Sequence, residues 1–206
     1  YADLQILDNL TYRVDFAPDI QEYRRGVFQS SATTARNGDS PYAEKNQYRS
    51  YTYTLENVLT YTKDVGDIHS FDVTGLYSLQ TSQYDSVRVA GSQLPYETQL
   101  FHNIGSAGRI EEVGSRFEEW SLMSFMGRVN YQLMGKYLLT VTGRYDGSSR
   151  LAEGNKWGLF PSVALGWNIS EEPFAPDLFS QLKLRVSYGV TGNTAIDPYQ
   201  TKGRLN

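Results

Sequence analysis

Apolar and polar side chains alternate along much of this chain. From Leu10 to Phe16 the apolar side chains occupy the even positions and the polar side chains occupy the odd ones. Successive side chains of a β-strand point to opposite faces, so this pattern predicts a strand with one apolar face, which ends near Pro18. Six more segments show the same alternation, and we therefore predict about seven strands. The other six are residues 49–62, 69–80, 123–133, 137–146, 157–169 and 182–191.

The connections between these predicted strands alternate in length. Short turns at 63–67 and 134–136 follow the second and fourth strands, whereas the connections 17–48 and 84–118 are long. In an up-and-down β-barrel, such an order places short turns on one rim and long loops on the other. The connection 147–156 obeys the same rule. The connection 170–181 is the exception, because it is a long segment on the rim of short turns.

Composition supports an all-β fold and excludes several functions. The chain contains 16 Tyr, 9 Phe and 3 Trp, and aromatic side chains favour strands. With no Cys and only His69 and His102, a disulfide framework is excluded and little remains for a metal site. The net charge is −4 and no basic stripe is present, so nucleic acid is excluded as a partner.

Alternation alone favours a soluble antiparallel sandwich over a membrane barrel, and two further features make the two architectures equally good explanations. No run of 18 apolar residues exists and Tyr1–Leu4 is not a signal peptide, but a barrel strand needs only about 9 to 11 residues with one apolar face. Aromatic residues near the ends of the apolar faces fit an interfacial girdle. They are Tyr51, Tyr53, Tyr61, Tyr137, Tyr145 and Trp167. The charged residues opposite them fit a wet lumen or a solvent face. They are Arg13, Asp15, Glu56, Asp72, Arg128, Arg144, Asp146, Lys183 and Arg185.

Four linked motifs in the last third of the chain separate these architectures. In order and spacing they closely resemble the SusC/RagA family of TonB-linked outer-membrane transporters. Leu151 departs from the family, which usually has Phe there, and this change affects packing only. The motifs are Arg144-Tyr145-Asp146-Gly147-Ser148-Ser149-Arg150, Asn155-Lys156-Trp157-Gly158-Leu159-Phe160-Pro161-Ser162, Gly166-Trp167-Asn168-Ile169-Ser170-Glu171-Glu172-Pro173-Phe174 and Leu182-Lys183-Leu184-Arg185-Val186-Ser187-Tyr188-Gly189-Val190-Thr191-Gly192-Asn193.

The resemblance implies a partial, antiparallel, up-and-down transmembrane β-barrel. On this view residues 1–206 are about seven strands of a much larger plugged barrel, and the plug and the TonB-contacting segment are absent. The family implies active import of oligosaccharides or peptides across the outer membrane of a Gram-negative, Bacteroidetes-like cell. The implied partners are outer-membrane lipid, a SusD-like surface lipoprotein that acts as a lid, TonB and the substrate, with no cofactor. A soluble secreted carbohydrate-binding sandwich and an outer-membrane enzyme barrel are the alternatives.

Aromatic residues of the long connections are the candidates for contact with a ligand or with the lid. Other aromatic residues, on the predicted strands and in the motifs, are expected to form part of an interfacial girdle or to pack between strands. They include Trp157, Trp167, Tyr137 and Tyr145. The segment 146–149 is expected to open a loop, with a polar or ion site between Asp146 and Arg150 as the functional alternative. The ligand or lid candidates are Tyr23, Phe28, Tyr42, Tyr84, Tyr96, Phe101 and Phe117.

No catalytic or metal-binding residue is predicted. The acidic pairs 111–112, 118–119 and 171–172 are adjacent, so on a strand their side chains would point to opposite faces, whereas glycosidases need two carboxylates that face one bond. We expect these pairs to be charged loop tips. His69 begins a predicted strand and His102 lies in a long loop, and neither has metal-ligand spacing. The segment Gly105–Gly108 is too short for a phosphate loop and does not lie between a strand and a helix.

Overall fold

The computed structural model of this chain consists almost entirely of β-strands and describes residues 1–175, 178, 180–193 and 196–201. Short 3-10 turns cover Glu97–Gln99, Ile104–Ser106 and Ile169–Glu171. No helix in these ranges is long and apolar enough to cross a membrane. The strands are β1 Ala2–Leu7, β2 Leu10–Gln29, β3 Tyr42–Val65, β4 His69–Ser92, β5 Arg109–Leu133, β6 Tyr137–Ser148, β7 Trp157–Asn168 and β8 Lys183–Gly189.

All eight strands belong to one antiparallel sheet in sequence order, from β1 to β8. Each strand therefore hydrogen-bonds to the next one along the chain, which confirms the predicted all-β, up-and-down arrangement. The turn 134–136 is confirmed as a tight hairpin connection. Lys136 N donates to the Leu133 carbonyl at 2.9 Å, and Met134 and Gly135 both have positive φ, 53° and 70°, as the central residues of a type I′ turn do.

The residues divide into two compact units. The first contains Tyr1–Ala17, Tyr53–Thr81 and Trp120–Asn206, and the second contains Pro18–Thr52 and Ser82–Glu119. The second unit has a small hydrophobic core of Ala43, Leu94 and Ile104. Phe28, Val89, Phe101 and Ala107 pack against that core.

Several predicted boundaries are wrong. β2 continues through Pro18 to Gln29, and the connection that follows it is 30–41 instead of 17–48. Pro18 lacks only a backbone N–H, so a strand can continue through it where no neighbouring strand needs that donor, and β1 pairs with residues 10–14 of β2. The second long connection shrinks in the same way, from 84–118 to 93–108, because β4 runs to Ser92 and β5 begins at Arg109.

The predicted count of about seven strands is also too low, because β1 was not predicted. At the other end of the chain, β7 and β8 confirm the last two predicted strands to within two residues. The strand β6 extends to Ser148, so the prediction that residues 146–149 open a loop is wrong for the first three of them. The connection 170–181 falls partly outside the described residues.

Candidate functional site

Strands β5 to β8 present one apolar face across four neighbouring strands. Directly opposed residues form apolar rows, because the register brings the same face of each strand into line. Leu165 is 58% exposed and Val186 is 64% exposed, so this face is not covered by another layer of the described chain. An exposed apolar surface of this kind marks a membrane or protein contact. The rows are Val129–Val141–Val163–Tyr188, Tyr131–Leu139–Leu165–Val186 and Leu133–Tyr137–Trp167–Leu184.

Aromatic rings lie at both ends of the apolar face. At one end the Tyr145 ring stacks on Trp157, with centroids 4.8 Å apart. At the other end the Tyr137 ring stacks on Trp167, with centroids 6.4 Å apart. Tyr137 and Tyr145 are eight residues apart on β6, or about 26 Å at 3.3 Å per residue. Barrel strands tilt by about 35–45°, so this length spans about 18–21 Å of an apolar band that is about 25 Å tall and flanked by aromatic girdles.

The opposite face of the same strands is polar. Arg144 Nε donates to Asp146 Oδ1 at 2.8 Å, and its Nη2 donates to the buried Ser124 Oγ at 2.9 Å. Arg128 Nε donates to Thr142 Oγ1 at 3.2 Å. By register, Lys183 and Arg185 of β8 share this face. The sheet of the first unit thus separates an apolar surface from a polar, charged one.

Asp146 and Arg150 do not form the polar cluster that was considered from the sequence. Asp146 pairs with Arg144 instead, and the Arg150 guanidinium lies 3.9 Å above the Trp120 ring. Ser149 exchanges two hydrogen bonds with Ser121, one from its backbone N at 3.0 Å and one to its Oγ at 2.8 Å. The motif from Arg144 to Arg150 therefore joins the end of β6 to β5 through hydrogen bonds.

Glycines of the motifs make room for aromatic rings. A Cβ on Gly147 would lie 2.6 Å from the Trp157 ring, and a Cβ on Gly192 would lie 2.2 Å from the Phe160 ring. Gly158 approaches the Phe160 ring in the same way, while a Cβ on Gly189 would lie 2.9 Å from Ser162 Cβ. These positions are glycine because a ring or a neighbouring strand occupies the space.

Backbone contacts account for three more motif residues. Lys156 accepts from Ser148 N through its carbonyl, and Asn155 N donates to the Ala152 carbonyl within the turn. Pro161 accepts from Val190 N through its carbonyl at 3.0 Å. Because the N and C=O of a strand residue point to the same side, the missing N–H of Pro161 falls where the β8 ladder ends.

Glu172 joins the turn after β7 to the turn between β5 and β6. Its carboxylate accepts from Tyr137 OH at 2.7 Å, Lys136 Nζ at 3.0 Å and Trp167 Nε1 at 3.2 Å. These bonds, the one from Tyr137 first, hold the pKa of Glu172 below its ordinary value. Phe174 packs edge-on against Trp167, and Glu171 lies in the adjacent 3-10 turn. The third motif therefore holds the turn after β7 against the turn between β5 and β6.

The ligand or lid candidates mostly lie on strands of the second unit and not in loops, contrary to expectation. Tyr23 of β2 stacks on Tyr48 of β3 with centroids 4.9 Å apart, and Tyr48 lies 5.6 Å from Tyr84 of β4. Tyr48 was not among the sequence candidates, because a cross-strand partner depends on register. We call Tyr23, Tyr48 and Tyr84 the tyrosine ladder.

The other candidates differ in exposure. Tyr42 OH donates to Glu44 at 2.9 Å, and Arg88 donates to the same carboxylate at 3.1 Å. Tyr96 and Phe117 are exposed, at 66% and 57%, so both can meet a ligand or a partner. The remaining two, Phe28 and Phe101, pack against the hydrophobic core of the second unit.

We call residues 30–41 the first loop and residues 93–108 the second loop. Glu97 of the second loop accepts hydrogen bonds from the first loop. Its Oε2 accepts from Ser30 Oγ at 2.7 Å, and its Oε1 accepts from Ser31 N at 3.0 Å and Ser31 Oγ at 2.9 Å. The hydrogen bond from Ser30, followed by those from Ser31, lowers the pKa of Glu97. Sequence reasoning missed this contact.

Acidification is expected to loosen the second loop through Glu97. A carboxylate whose pKa is lower in the folded state adds stability above its unfolded pKa and loses it as the pH falls through the folded value. Amide hydrogen exchange of residues 93–108 in the full-length protein should therefore rise at acid pH, after correction for intrinsic exchange rates. Glu97→Gln should remove that dependence. An equal pH response in both proteins would contradict the role of Glu97.

The acidic pairs and the histidines are the remaining residues considered from the sequence. The pairs 111–112 and 118–119 lie on β5, so their interpretation as loop tips is wrong. Ser92 donates to Glu111, whereas Arg88 pairs with Glu112. His69 begins β4, and its Nδ1 lies 2.7 Å from Tyr131 OH. Within the described ranges, no three His, Cys, Asp or Glu side chains come together as a possible metal site.

Comparisons with known proteins assign this architecture to a family. Residues 2–203 match the family described as TonB dependent receptor-like, beta-barrel. The chain belongs to this family. The resemblance to SusC/RagA proteins is thereby confirmed, and so is the prediction that the chain is not an enzyme, since the relatives are named as receptors.

Named relatives support the same assignment. The chain is 33% identical to TonB-dependent receptor P26 of Formosa agariphila over 210 residues, which cover 100% of the chain and 21% of the relative. It is 33% identical to TonB-dependent receptor SusC of Bacteroides thetaiotaomicron over 211 residues, which cover 91% of the chain and 19% of SusC. The chain thus spans about one fifth of the length of these relatives.

Solved structures show the same fold. The RagAB peptide transporter superposes with a TM-score of 0.86 at 19% identity, covering 95% of this chain and 22% of that chain. The RagAB peptide importer in the open-open state gives a TM-score of 0.86 at 20% identity, covering 96% and 22%. At this identity the likeness establishes the fold of the strands and their order.

Proposed function

We propose that this chain supplies part of the wall and external loops of an outer-membrane importer that takes up an oligosaccharide or a peptide with energy delivered through TonB. The observation that carries the proposal is the two-sided sheet of the first unit, with apolar rows on one face and the Arg144–Asp146 network on the other. A barrel strand needs one face for lipid and one for a wet lumen. The family of receptor barrels has that architecture.

Substrate class and partners are proposed by analogy with the relatives. The RagAB peptide transporter is the named neighbour on which we base uptake of a peptide, and the motif resemblance to the SusC/RagA family is the basis for an oligosaccharide as the alternative. Residues 1–206 would form one incomplete barrel segment, with the plug and the TonB-contacting segment elsewhere in the receptor. A SusD-like lipoprotein would close the outer mouth in a Gram-negative, Bacteroidetes-like cell. The tyrosine ladder, Tyr42, Tyr96 and Phe117 would meet the ligand or that lid.

The soluble sandwich is wrong as an architecture. A sandwich buries its apolar faces between two packed sheets, whereas the described strands form one sheet whose apolar rows are exposed. The family assignment independently places the strands in a receptor barrel. An isolated carbohydrate-binding sandwich therefore does not account for the structure.

Deletion of the full-length receptor gene in its native host should abolish growth on one oligosaccharide or peptide source. We expect growth to return with the intact receptor, but not in a strain that lacks TonB, because import across this membrane requires coupled energy. Growth on a monosaccharide should be unchanged and serves as the control. Uptake of labelled oligosaccharides and peptides, compared side by side, would identify the class. Normal uptake of every oligosaccharide and peptide in the deletion strain would overturn the proposal.

A further inference from the structure

A pocket of about 300 Å³ lies between the second loop and the sheet of the second unit. Val87 and Val89 of β4 line it, together with Phe101, His102 and Ile104 of the second loop. The pocket forms because the loop is held against the sheet, with Ile104 buried in the small core and with Phe101 and Val89 packed on that core. Its volume is at the lower end of the range of about 300 to 1,000 Å³ that is typical of small-molecule sites.

Two further lining residues, Lys45 and Gln47 of β3, bring hydrogen-bond donors to this pocket. They are two residues apart on a strand, so their side chains point to the same face. An ammonium has three N–H donors, a primary amide has two, and an imidazole such as that of His102 has at least one. No Asp or Glu belongs to the lining. The pocket therefore offers donors and a positive charge beside apolar surface.

The charge of Lys45 is not neutralised by a neighbouring acid. Elsewhere in the second unit Arg88 pairs with Glu44 at 3.1 Å, and Arg49 pairs with Glu22 at 3.2 Å. The Lys45 side chain is exposed, and no other described residue forms an ion pair or a hydrogen bond with it. Hydrogen bonds between an ammonium and an anion are about twice as strong as neutral ones. Lys45 therefore favours an anion as the occupant of the pocket.

We propose that this pocket binds a small organic carboxylate, whose charged group contacts Lys45 and whose apolar part packs against Val87, Val89 and Ile104. One lysine balances one negative charge, so a carboxylate fits better than a phosphate, which carries about −1.5 to −2 at pH 7. A protein partner would need about 800 Å² for a stable interface, whereas the pocket has the size of one small molecule. The inference goes beyond the proposed function, because it involves the second unit alone and is independent of the imported substrate.

Occupation of the pocket is expected to hold the second loop against the sheet. Residues of that loop line the pocket only while the loop is closed, and a ligand that binds only the closed state lowers the open population by the factor 1 + [L]/Kd. Leu100 N and Gly108 N donate hydrogen bonds within the loop, so their exchange reports its opening. At a ligand concentration of ten times Kd, exchange of both amides should slow about tenfold.

Ligand-observed NMR of the full-length receptor in a mild detergent tests this site, with benzoate as the probe. Benzoate should bind at least about tenfold more tightly than benzamide, which has nearly the same shape and no charge, because hydrogen bonds to charged groups are the stronger ones. Lys45→Met should weaken benzoate binding by a similar factor, and Lys45→Arg should retain it. Lys63→Met is the matched control, since Lys63 lies on the same strand and does not line the pocket.

A second pair of variants tests the apolar part of the pocket. Val87→Trp places an indole in the pocket and should abolish both benzoate binding and the slowing of loop exchange. Val113→Trp is its control, because Val113 is an exposed valine of the same unit and is not part of the lining. Assembly of every variant is checked by heat-modifiable migration on gels.

Three results would overturn the inference. The first is an assembled receptor that does not bind benzoate, and the second is equal affinity for benzoate and benzamide or for benzoate in wild type and Lys45→Met. The third is a copurifying protein that occupies the pocket and excludes benzoate. None of these results bears on import, which is measured separately by uptake of the labelled substrates.

Discussion

Replacing Val163 with arginine is expected to remove most of the assembled receptor from the outer membrane. Val163 lies between Val141 and Tyr188, about halfway along β6 and β7 between the Tyr145 and Tyr137 ends of the apolar face, and it is 41% exposed. An arginine on the lipid face near the bilayer midplane costs about 2–4 kcal/mol. Folded proteins have a net stability of only about 5–15 kcal/mol. The substitution therefore removes a large share of the margin that keeps the barrel folded.

Ser162→Arg is the matched control, because Ser162 is the adjacent residue and lies on the opposite face. It is paired with Thr142 of β6 in the polar row that contains Arg128. An arginine there can reach water, so assembly should be close to wild type. We would measure heat-modifiable migration and the urea midpoint of the full-length receptor refolded into lipid vesicles. Equal tolerance of both arginines would show that the Val163 face does not contact lipid.

The alternation in the sequence predicted the strands of the first unit well, for a physical reason. Where a strand separates lipid from water, each residue must suit one of two environments, so hydropathy follows the two-residue period of the backbone. This explains why β6, β7 and β8 were predicted nearly to their ends. In β7, for example, Val163, Leu165 and Trp167 alternate with Ser162, Ala164 and Gly166.

The second unit was poorly predicted because its strands have polar residues on both faces. Glu22 and Arg24 of β2 and Arg49 of β3 are bound in ion pairs, as are Arg88 and Glu44 on β4 and β3. Such residues extend the ladder without any apolar period. The sequence therefore suggests loops where the backbone continues as strand, and Pro18 strengthened that wrong prediction.

The short strand β1 could have been predicted from its residues. Ala2, Leu4 and Ile6 alternate with Asp3 and Gln5, and the Asp8-Asn9 turn follows at once. Asp and Asn are frequent hairpin residues. The segment is only six residues long, so its alternation of apolar and polar residues is hard to distinguish from a chance pattern.

The motif residues could be recognised from the sequence, but their partners could not. Glu172 accepts hydrogen bonds from Lys136, Tyr137 and Trp167, which belong to separate turns and strands. Such a set is defined by the three-dimensional approach of the turns, and no local spacing encodes it. The same holds for the tyrosine ladder, in which Tyr48 is the central ring only because of strand register.

Truncation of Phe101 to alanine is expected to release the second loop from the sheet of the second unit. The Phe101 ring covers Gly26, where a Cβ would lie 2.4 Å from the ring, and it packs against the core that contains Leu94 and Ile104. Phe→Ala in a full core costs about 3–5 kcal/mol. Because Phe101 is only partly buried, we expect a local loss of about 2 kcal/mol, which is about a thirtyfold increase in opening.

Hydrogen exchange of the loop amides in the full-length receptor measures this opening directly. Leu100 N donates to the Glu97 carbonyl and Gly108 N donates to the Gln93 carbonyl, both at 3.0 Å, so their protection reports closure. Tyr96→Ala is the control, since Tyr96 belongs to the same loop and is 66% exposed. If Phe101→Ala leaves both amides as protected as Tyr96→Ala does, the hydrogen bonds of Glu97 with Ser30 and Ser31 hold the loop without the aromatic anchor. If protection falls only in Phe101→Ala, the ring on Gly26 is the anchor, and any ligand or lid that meets Tyr96 does so on a loop fixed in advance.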